Sequence, residues 1–279
     1  MAGVPMNVKR VVSIFIIFLL IIAPIDTINT INTFASKAAS MSVSQPEPGD
    51  GVIRVSVDSD FLKKIRIGVY SVECRKNYYF AYFASDKTLE VPLMFGNGLY
   101  IISLFEEASD SYYYLVEKKT VSLDMADYDD AYLSSSVMAP WADAELTVAK
   151  ANELTRDAEN ELDKFLAIYS YVVKNIEYDH EKVGEKRYRS SPDSTLEDRA
   201  GTCFDYAVLL ASMLRCSGIK CKLVYGHVGG FAEFHAWNEA FINGRWIVVD
   251  TTVDAMKHES RMTYMYSKPA GQYKAEDIF

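Results

Sequence analysis

Residues 201–218 read Gly-Thr-Cys-Phe-Asp-Tyr-Ala-Val-Leu-Leu-Ala-Ser-Met-Leu-Arg-Cys-Ser-Gly. The run from Phe204 to Cys216 is helical, and Gly218 closes it, as glycine does just past a helix end. Ala207, Leu210, Ala211 and Leu214 recur at helical spacing and form one apolar face. Cys203 lies four residues before Ala207, so it points toward the same face from the first turn. A thiol there feels the positive end of the helix dipole, which favours the thiolate form. Free backbone N–H groups at the same end can hold an oxyanion. A buried structural cysteine is the plainer reading of the same position.

The next informative stretch is Phe234 to Thr252. Phe234-His235-Ala236-Trp237-Asn238-Glu239-Ala240-Phe241-Ile242 reads as a strand, and Trp246-Ile247-Val248-Val249-Asp250 as another. Asn243-Gly244 between them is a strong hairpin signal. A two-residue turn pairs Ile242 with Arg245, which sets Trp237 opposite Asp250 and His235 opposite Thr252. His235 and Asp250 then share a face as diagonal neighbours, about 7–8 Å apart and within side-chain reach. A slip of one residue would put them on opposite faces. Taken alone, a histidine beside an aspartate is more often structural than chemical. With Cys203 the three residues make a nucleophile, a base and an orienting carboxylate.

At this point the sequence resembles the transglutaminase-like core of the papain-like cysteine enzymes, of exported, bacterial type. The likeness rests on Gly201-Thr202-Cys203-Phe204-Asp205-Tyr206-Ala207, Leu214-Arg215-Cys216-Ser217-Gly218-Ile219 and Val224-Tyr225-Gly226. It continues through His235-Ala236-Trp237-Asn238-Glu239, Gly244-Arg245-Trp246 and Val249-Asp250-Thr251-Thr252, and covers about residues 145–254. It implies an α+β fold in which a Cys-bearing helix packs on an antiparallel sheet bearing His and Asp. It also implies Cys203 as nucleophile, His235 as general acid and base, and Asp250 as orienter. Tyr178, in the Tyr178-Asp179 step before the cysteine helix, is a candidate to complete the oxyanion site, beside the plainer reading of a packing role.

Upstream of Cys203, Ala144–Leu154 and Leu162–Ile176 are helical by spacing. A polar loop is expected from His180 to Ser194, kept non-helical by Pro192, with Ser194 and Glu197 as a short capping box. From Gly51 to about Leu123 the period is two: Val52–Val57, Ile65–Tyr70, Tyr78–Phe83, Leu89–Met94, Leu99–Phe105 and Tyr112–Val116 are β-branched or aromatic runs. They predict a small all-β sandwich over 51–124 that carries no chemistry of its own. The Tyr112-Tyr113-Tyr114 triplet reads as strand filling rather than a binding stripe. Asp124, Asp127, Asp129 and Asp130 lack the glycine and closing glutamate of a calcium loop and read as a solvated linker, 125–142. The catalytic domain is then 143–279.

The chain opens with Lys9-Arg10 and an apolar run from Val11 to Ala23 that ends at Pro24. At 1.5 Å per residue that run spans about 20 Å, short of a ~30 Å bilayer core. It reads as a secretory signal cleaved near Ala38–Ser40, or as an uncleaved N-terminal anchor, within residues 1–40. Residues 41–50, with two prolines, read as a linker.

Composition narrows the function. Of 279 residues, 49% are apolar and 24% charged, which excludes a disordered chain, and 38 acidic against 29 basic residues leave a net charge of -9. Such a chain is a poor nucleic-acid binder. Four cysteines make no disulfide scaffold. Cys216 and Cys221 are read as two core thiols in preference to a disulfide, and Cys74 has no visible partner. His180, His227 and His258 are read as structural or solvated, and Gly229-Gly230 as a loop. No metal or other cofactor is implied. The expected partner is a peptide or protein substrate, wall-associated if the chain is exported. Hydrolysis of a peptide or amide bond through an acyl-thioester on Cys203 is the first expectation. Amine transfer to glutamine, which cross-links proteins, uses the same three residues and stands second. An inactive surface-binding or scaffold protein is the third.

Overall fold

A computed structural model describes residues 39–47, 49–109, 112–183, 189–231 and 233–279. The expected signal or anchor segment lies outside the described residues. Among the described residues no helix is long and apolar enough to cross a membrane.

The period-two runs become strands because alternate side chains are buried. In β2 (Val52–Asp58) Ile53 and Val55 are buried while Arg54 is exposed. In β3 (Ile65–Ser71) the buried set includes Ile65, Ile67 and Val69, and in β4 (Lys76–Tyr82) it is Tyr78, Phe80 and Tyr82. One sheet has the order β1–β2–β5, with β1 at Ser40–Val43 and β5 at Leu89–Pro92. The other has the order β4–β3–β6–β7, with β6 at Gly98–Ser109 and β7 at Tyr112–Leu123. Every pairing in both is antiparallel.

Three expectations change here. Part of the segment read as a linker is strand β1, in register with β2 from Ser40↔Asp58 to Val43↔Val55, with Met41 buried. Its backbone groups find ladder partners although its side chains carry little apolar signal. The tyrosine triplet does not fill the core: Tyr112 and Tyr114 are exposed, and the Arg66 guanidinium lies 4.1 Å from the Tyr113 ring centre. The acidic stretch is not solvated throughout. Asp127 caps the short 3-10 turn Tyr128–Leu133, Lys220 binds both Asp127 and Asp130 at 2.8 Å, and the Trp246 indole N–H donates to Asp129 at 3.2 Å.

Among the described residues three α-helices precede the cysteine: α1 (Glu145–Thr155), α2 (Glu161–Asn175) and α3 (Pro192–Asp198). α3 begins inside the expected loop. Pro192 starts it instead of preventing it, because proline suits the first helical position, where no N–H partner is needed. Its cap is Ser191, whose Oγ accepts from the Ser194 N–H at 3.3 Å, in place of the expected Ser194 box. Before and after α3, the two-residue strands β8 (Glu177–Tyr178) and β9 (Ala200–Gly201) pair in parallel.

Helix α4 (Cys203–Cys216) is the centre of the second half. Every residue from Asp205 to Arg215 is buried, so α4 is covered on all sides. It packs on a sheet of order β12–β11–β10–β13. These strands are β10 (Cys221–Val228), β11 (His235–Ile242), β12 (Arg245–Val249) and β13 (Tyr273–Ile278), with α5 (Thr251–Glu259) between the last two. Leu209, Leu210 and Leu214 meet Phe165, Ile168 and Val172 of α2 in one cluster with Val249. Truncating one such fully buried leucine to alanine costs about 2–5 kcal/mol. The other end of α4 joins the β region: Ala207, Val208 and Phe279 share a core with Ile53, Tyr78 and Leu104.

Candidate active site

The Asn243-Gly244 turn sets the register as the hairpin signal predicts. β11 and β12 pair Ile242↔Arg245, Glu239↔Val248 and Asn238↔Val249. The ladder stops there. The expected cross-strand positions of Asp250 and Thr252 are not formed, because the chain turns into α5. Asp250 is the N-cap, its Oδ1 accepting from the Val253 N–H at 3.0 Å. Its other oxygen reaches the strand-end histidine, and His235 Nε2 lies 3.0 Å from Asp250 Oδ2. A cap position therefore performs the task expected of a strand residue.

Cys203 begins α4, with Thr202 as N-cap. The turn before it is held by Asp205, which is fully buried. Asp205 Oδ2 accepts from the Thr202 N–H at 2.9 Å and the Thr202 hydroxyl at 3.0 Å, and Oδ1 accepts from the Ser190 hydroxyl at 2.6 Å. Lys182 adds an ion pair at 3.3 Å. A side chain on Gly201 would sit 2.6 Å from Asp205 Cβ, so the turn requires glycine.

His235 is buried, and burial alone would lower its pKa. Hydrogen bonds to Asp250 and to the Cys203 thiol, with the charges of both, outweigh burial and raise it to about 9. Nε2 lies on Asp250, which leaves Nδ1 as the ring's other nitrogen. The ring is further fixed by Phe231, stacked on it at 5.3 Å and 15°.

The structure therefore joins His235 to Asp250 by a hydrogen bond and places the Cys203 thiol near enough to act on the His235 ring. Tyr178 joins them on the cleft wall: β8 pairs Tyr178 with Gly201, two residues before the cysteine. Burial raises its phenol pKa, and the Cys203 and Glu233 charges raise it further. The cleft in front of Cys203 has a volume of about 620 Å³ and is walled largely by aromatic rings. Sequence reasoning missed Tyr273 on β13. Its hydroxyl donates to Asp250 Oδ2 at 2.9 Å, the same oxygen that binds His235. Burial and the Asp250 charge hold this phenol well above its usual pKa.

The remaining cysteines are free thiols. Burial pushes Cys216 up to about 11 and Cys221 up to about 12, which makes them unreactive beside Cys203. His227 lies 3.3 Å from Glu276, His258 meets Tyr264, and His180 packs on Tyr178.

Fold and site together define a class: α+β proteins in which a thiol at a helix start faces an imidazole held by a carboxylate. Comparison with known proteins shows what the chain is similar to. Residues 148–251 match the sequence profile of the Transglutaminase-like superfamily, so the chain carries a transglutaminase-like core domain behind its N-terminal β-sheet region. Over 168 residues it is 32% identical to the human (Homo sapiens) kyphoscoliosis peptidase, covering 54% of this chain and 24% of that protein. The mouse (Mus musculus) kyphoscoliosis peptidase is 33% identical over 133 residues, 42% of this chain and 20% of that protein. The chain thus spans about a quarter or less of the length of these curated relatives. Among solved structures, the periplasmic domain of TgpA from Pseudomonas aeruginosa aligns over 80% of this chain and 91% of its own, at 15% identity and a TM-score of 0.42.

Proposed function

We propose that the chain is an exported thiol hydrolase of peptide or amide bonds that works through an acyl-thioester on Cys203. One observation supports this reading: the His235 ring, hydrogen-bonded to Asp250 at 3.0 Å, feels the charge of the Cys203 thiol, which lines an open cleft. The name peptidase on the curated relatives agrees with it.

In the proposed reaction the Cys203 sulfur attacks the substrate carbonyl carbon. The oxyanion that forms faces the free N–H groups at the start of α4, with the Tyr178 hydroxyl as a further donor. The tetrahedral intermediate collapses as the C–N bond breaks, and the departing nitrogen takes its proton from His235. With a pKa of about 9 the imidazole is protonated at neutral pH, which is the form this step needs. Water then enters. His235 takes its proton, hydroxide adds to the thioester carbonyl, and the C–S bond breaks to give the free acid. Asp250 holds the ring through both halves, and Tyr273 holds Asp250. The chemistry uses no metal or other cofactor.

The test is a quenched peptide library incubated with the protein beside a labelled primary amine. Hydrolysis gives new amino termini that disappear with Cys203→Ala. Amine incorporation into glutamine without cleavage would replace this reading with cross-linking. Neither product, together with peptide binding that survives Cys203→Ala, would replace it with a scaffold.

A further inference from the structure

The cleft wall beside Cys203 has a charge pattern that the proposed chemistry does not use. Three aromatic rings form this wall. Tyr225 is stacked with Phe234 at 5.4 Å and 16°, and Phe204 meets Tyr225 edge-on at 6.4 Å. Two carboxylates stand next to them. Asp277 is the cross-strand partner of Tyr225 in the β10–β13 ladder, so its side chain rises beside that ring, with Cβ atoms about 4.5–5.5 Å apart. Glu233 directly precedes Phe234 in the chain. Both acids line the cleft and both are exposed.

Among the described residues that line the cleft, acidic side chains outnumber basic ones by two to one. The cationic side chain among the described lining residues is Lys182, and it is paired with buried Asp205. A His235 imidazolium and a Cys203 thiolate cancel each other. Among the described lining residues, Glu233 and Asp277 are left as the net charge, with Lys76 acting on Asp277 from outside the lining. Asp277 is also flanked by Glu276, whose charge has the same sign.

We propose that this wall is a specificity subsite for a lysine or arginine side chain of the peptide substrate. The aliphatic stem of such a side chain lies along the Tyr225–Phe234–Phe204 rings, and its cationic end meets the two carboxylates. Long cationic side chains bury their stems on apolar surface in this way, and aromatic faces attract the charge. A glutamate at the same place would meet two like charges, Glu233 and Asp277. An apolar side chain would gain the rings alone. The proposal rests on Cys203 being the nucleophile, and it holds for either acyl acceptor.

The test separates the two ideas. Three peptidyl acyloxymethyl ketones differ only in one side chain: lysine, norleucine or glutamate. Each alkylates a reactive thiol without needing turnover, and labelling of Cys203 is followed by mass spectrometry. In the wild-type chain, the lysine probe is expected to label about fivefold or more faster than norleucine, and glutamate slowest, given what one or two rim charge pairs contribute. The preference should shrink at 0.5 M salt, where the screening length is only a few ångströms. In Asp277→Asn/Glu233→Gln the lysine-to-norleucine ratio should fall toward one. Because it is a ratio within one variant, a loss of folded protein does not mimic it. Equal rates for the three probes in the wild type, or a glutamate preference, would overturn the subsite alone. No labelling by any probe would overturn the nucleophile, and the subsite with it.

Discussion

Asp250 and Asp254 stand one helical turn apart at the head of α5, and they are built alike. Both are fully buried. Asp250 holds the Tyr273 hydroxyl at 2.9 Å and the His235 ring at 3.0 Å. Asp254 holds the Tyr169 hydroxyl at 2.7 Å and the Lys268 ammonium. Burial raises the Asp254 carboxyl pKa, and its hydrogen bonds to Lys268 and Tyr169 pull it back. The chemistry of the two carboxylates is therefore nearly the same. What differs is the partner. The His235 imidazole can give and take a proton and faces the Cys203 thiol of an open cleft, whereas the Lys268 ammonium ties the segment after α5 to the helix. A buried, tyrosine-bonded aspartate is not by itself the mark of a reactive site. The group on its far side decides.

Substitutions should separate the two networks. The largest effect is expected from Cys203→Ala, which should lower turnover by about 10³-fold or more, in line with removal of a nucleophile from a thiol or hydroxyl triad. Its melting temperature should stay close to wild type. Asp250→Asn should come next, with turnover down by about 10²–10⁴-fold as the imidazole loses its fixed orientation. Asp254→Ala should act on the other axis. It leaves the buried Lys268 ammonium without its carboxylate, with only the Met265 carbonyl to accept from it, so a stability loss of about 3–5 kcal/mol is expected in denaturant titration. The protein that remains folded in the cold should keep kcat within about tenfold. If Asp254→Ala instead abolished turnover at full stability, the distinction between the networks would fall.

Two smaller effects sharpen the comparison. His235 has a folded pKa of about 9, above its ordinary 6.5. The stability it adds is fully present below pH 6.5 and is lost as pH rises through about 9. Melting temperature measured from pH 6 to 10 should therefore fall more steeply in the wild type than in His235→Gln. Tyr273→Phe should have the smallest effect. It removes one hydrogen bond from Asp250, of about 1 kcal/mol, and should cost up to about tenfold in kcat, with KM unchanged.

What the sequence revealed depended on how local each signal was. Cys203 was legible because it opens a helical run with one apolar face that Gly218 closes. His235 and Asp250 were legible because Asn243-Gly244 fixes a hairpin register. The register was correct even though Asp250 uses a helix cap to reach the histidine. Tyr273 was not legible. It meets Asp250 from β13, a strand whose Tyr-Lys-Ala-Glu-Asp-Ile sequence has almost no apolar alternation. The acidic stretch was legible as exposed, but its ion pairs were not, since the partner Lys220 lies some 90 residues further on. Strand β1 is held by backbone pairing, which side-chain composition does not report. Pro192 was legible as a break and not as a start, because a proline at the first helical position looks the same in sequence as one that ends a helix.

The central claim is that Cys203 and His235 form a reactive pair. The most direct measurement is the rate of Cys203 alkylation by iodoacetamide as a function of pH, read by mass spectrometry of the labelled peptide in the wild type and in His235→Ala. The account expects rapid labelling well below the free-thiol pKa of about 8.5, lost in His235→Ala. Labelling that rises only near that pH, and is the same in both proteins, would contradict it.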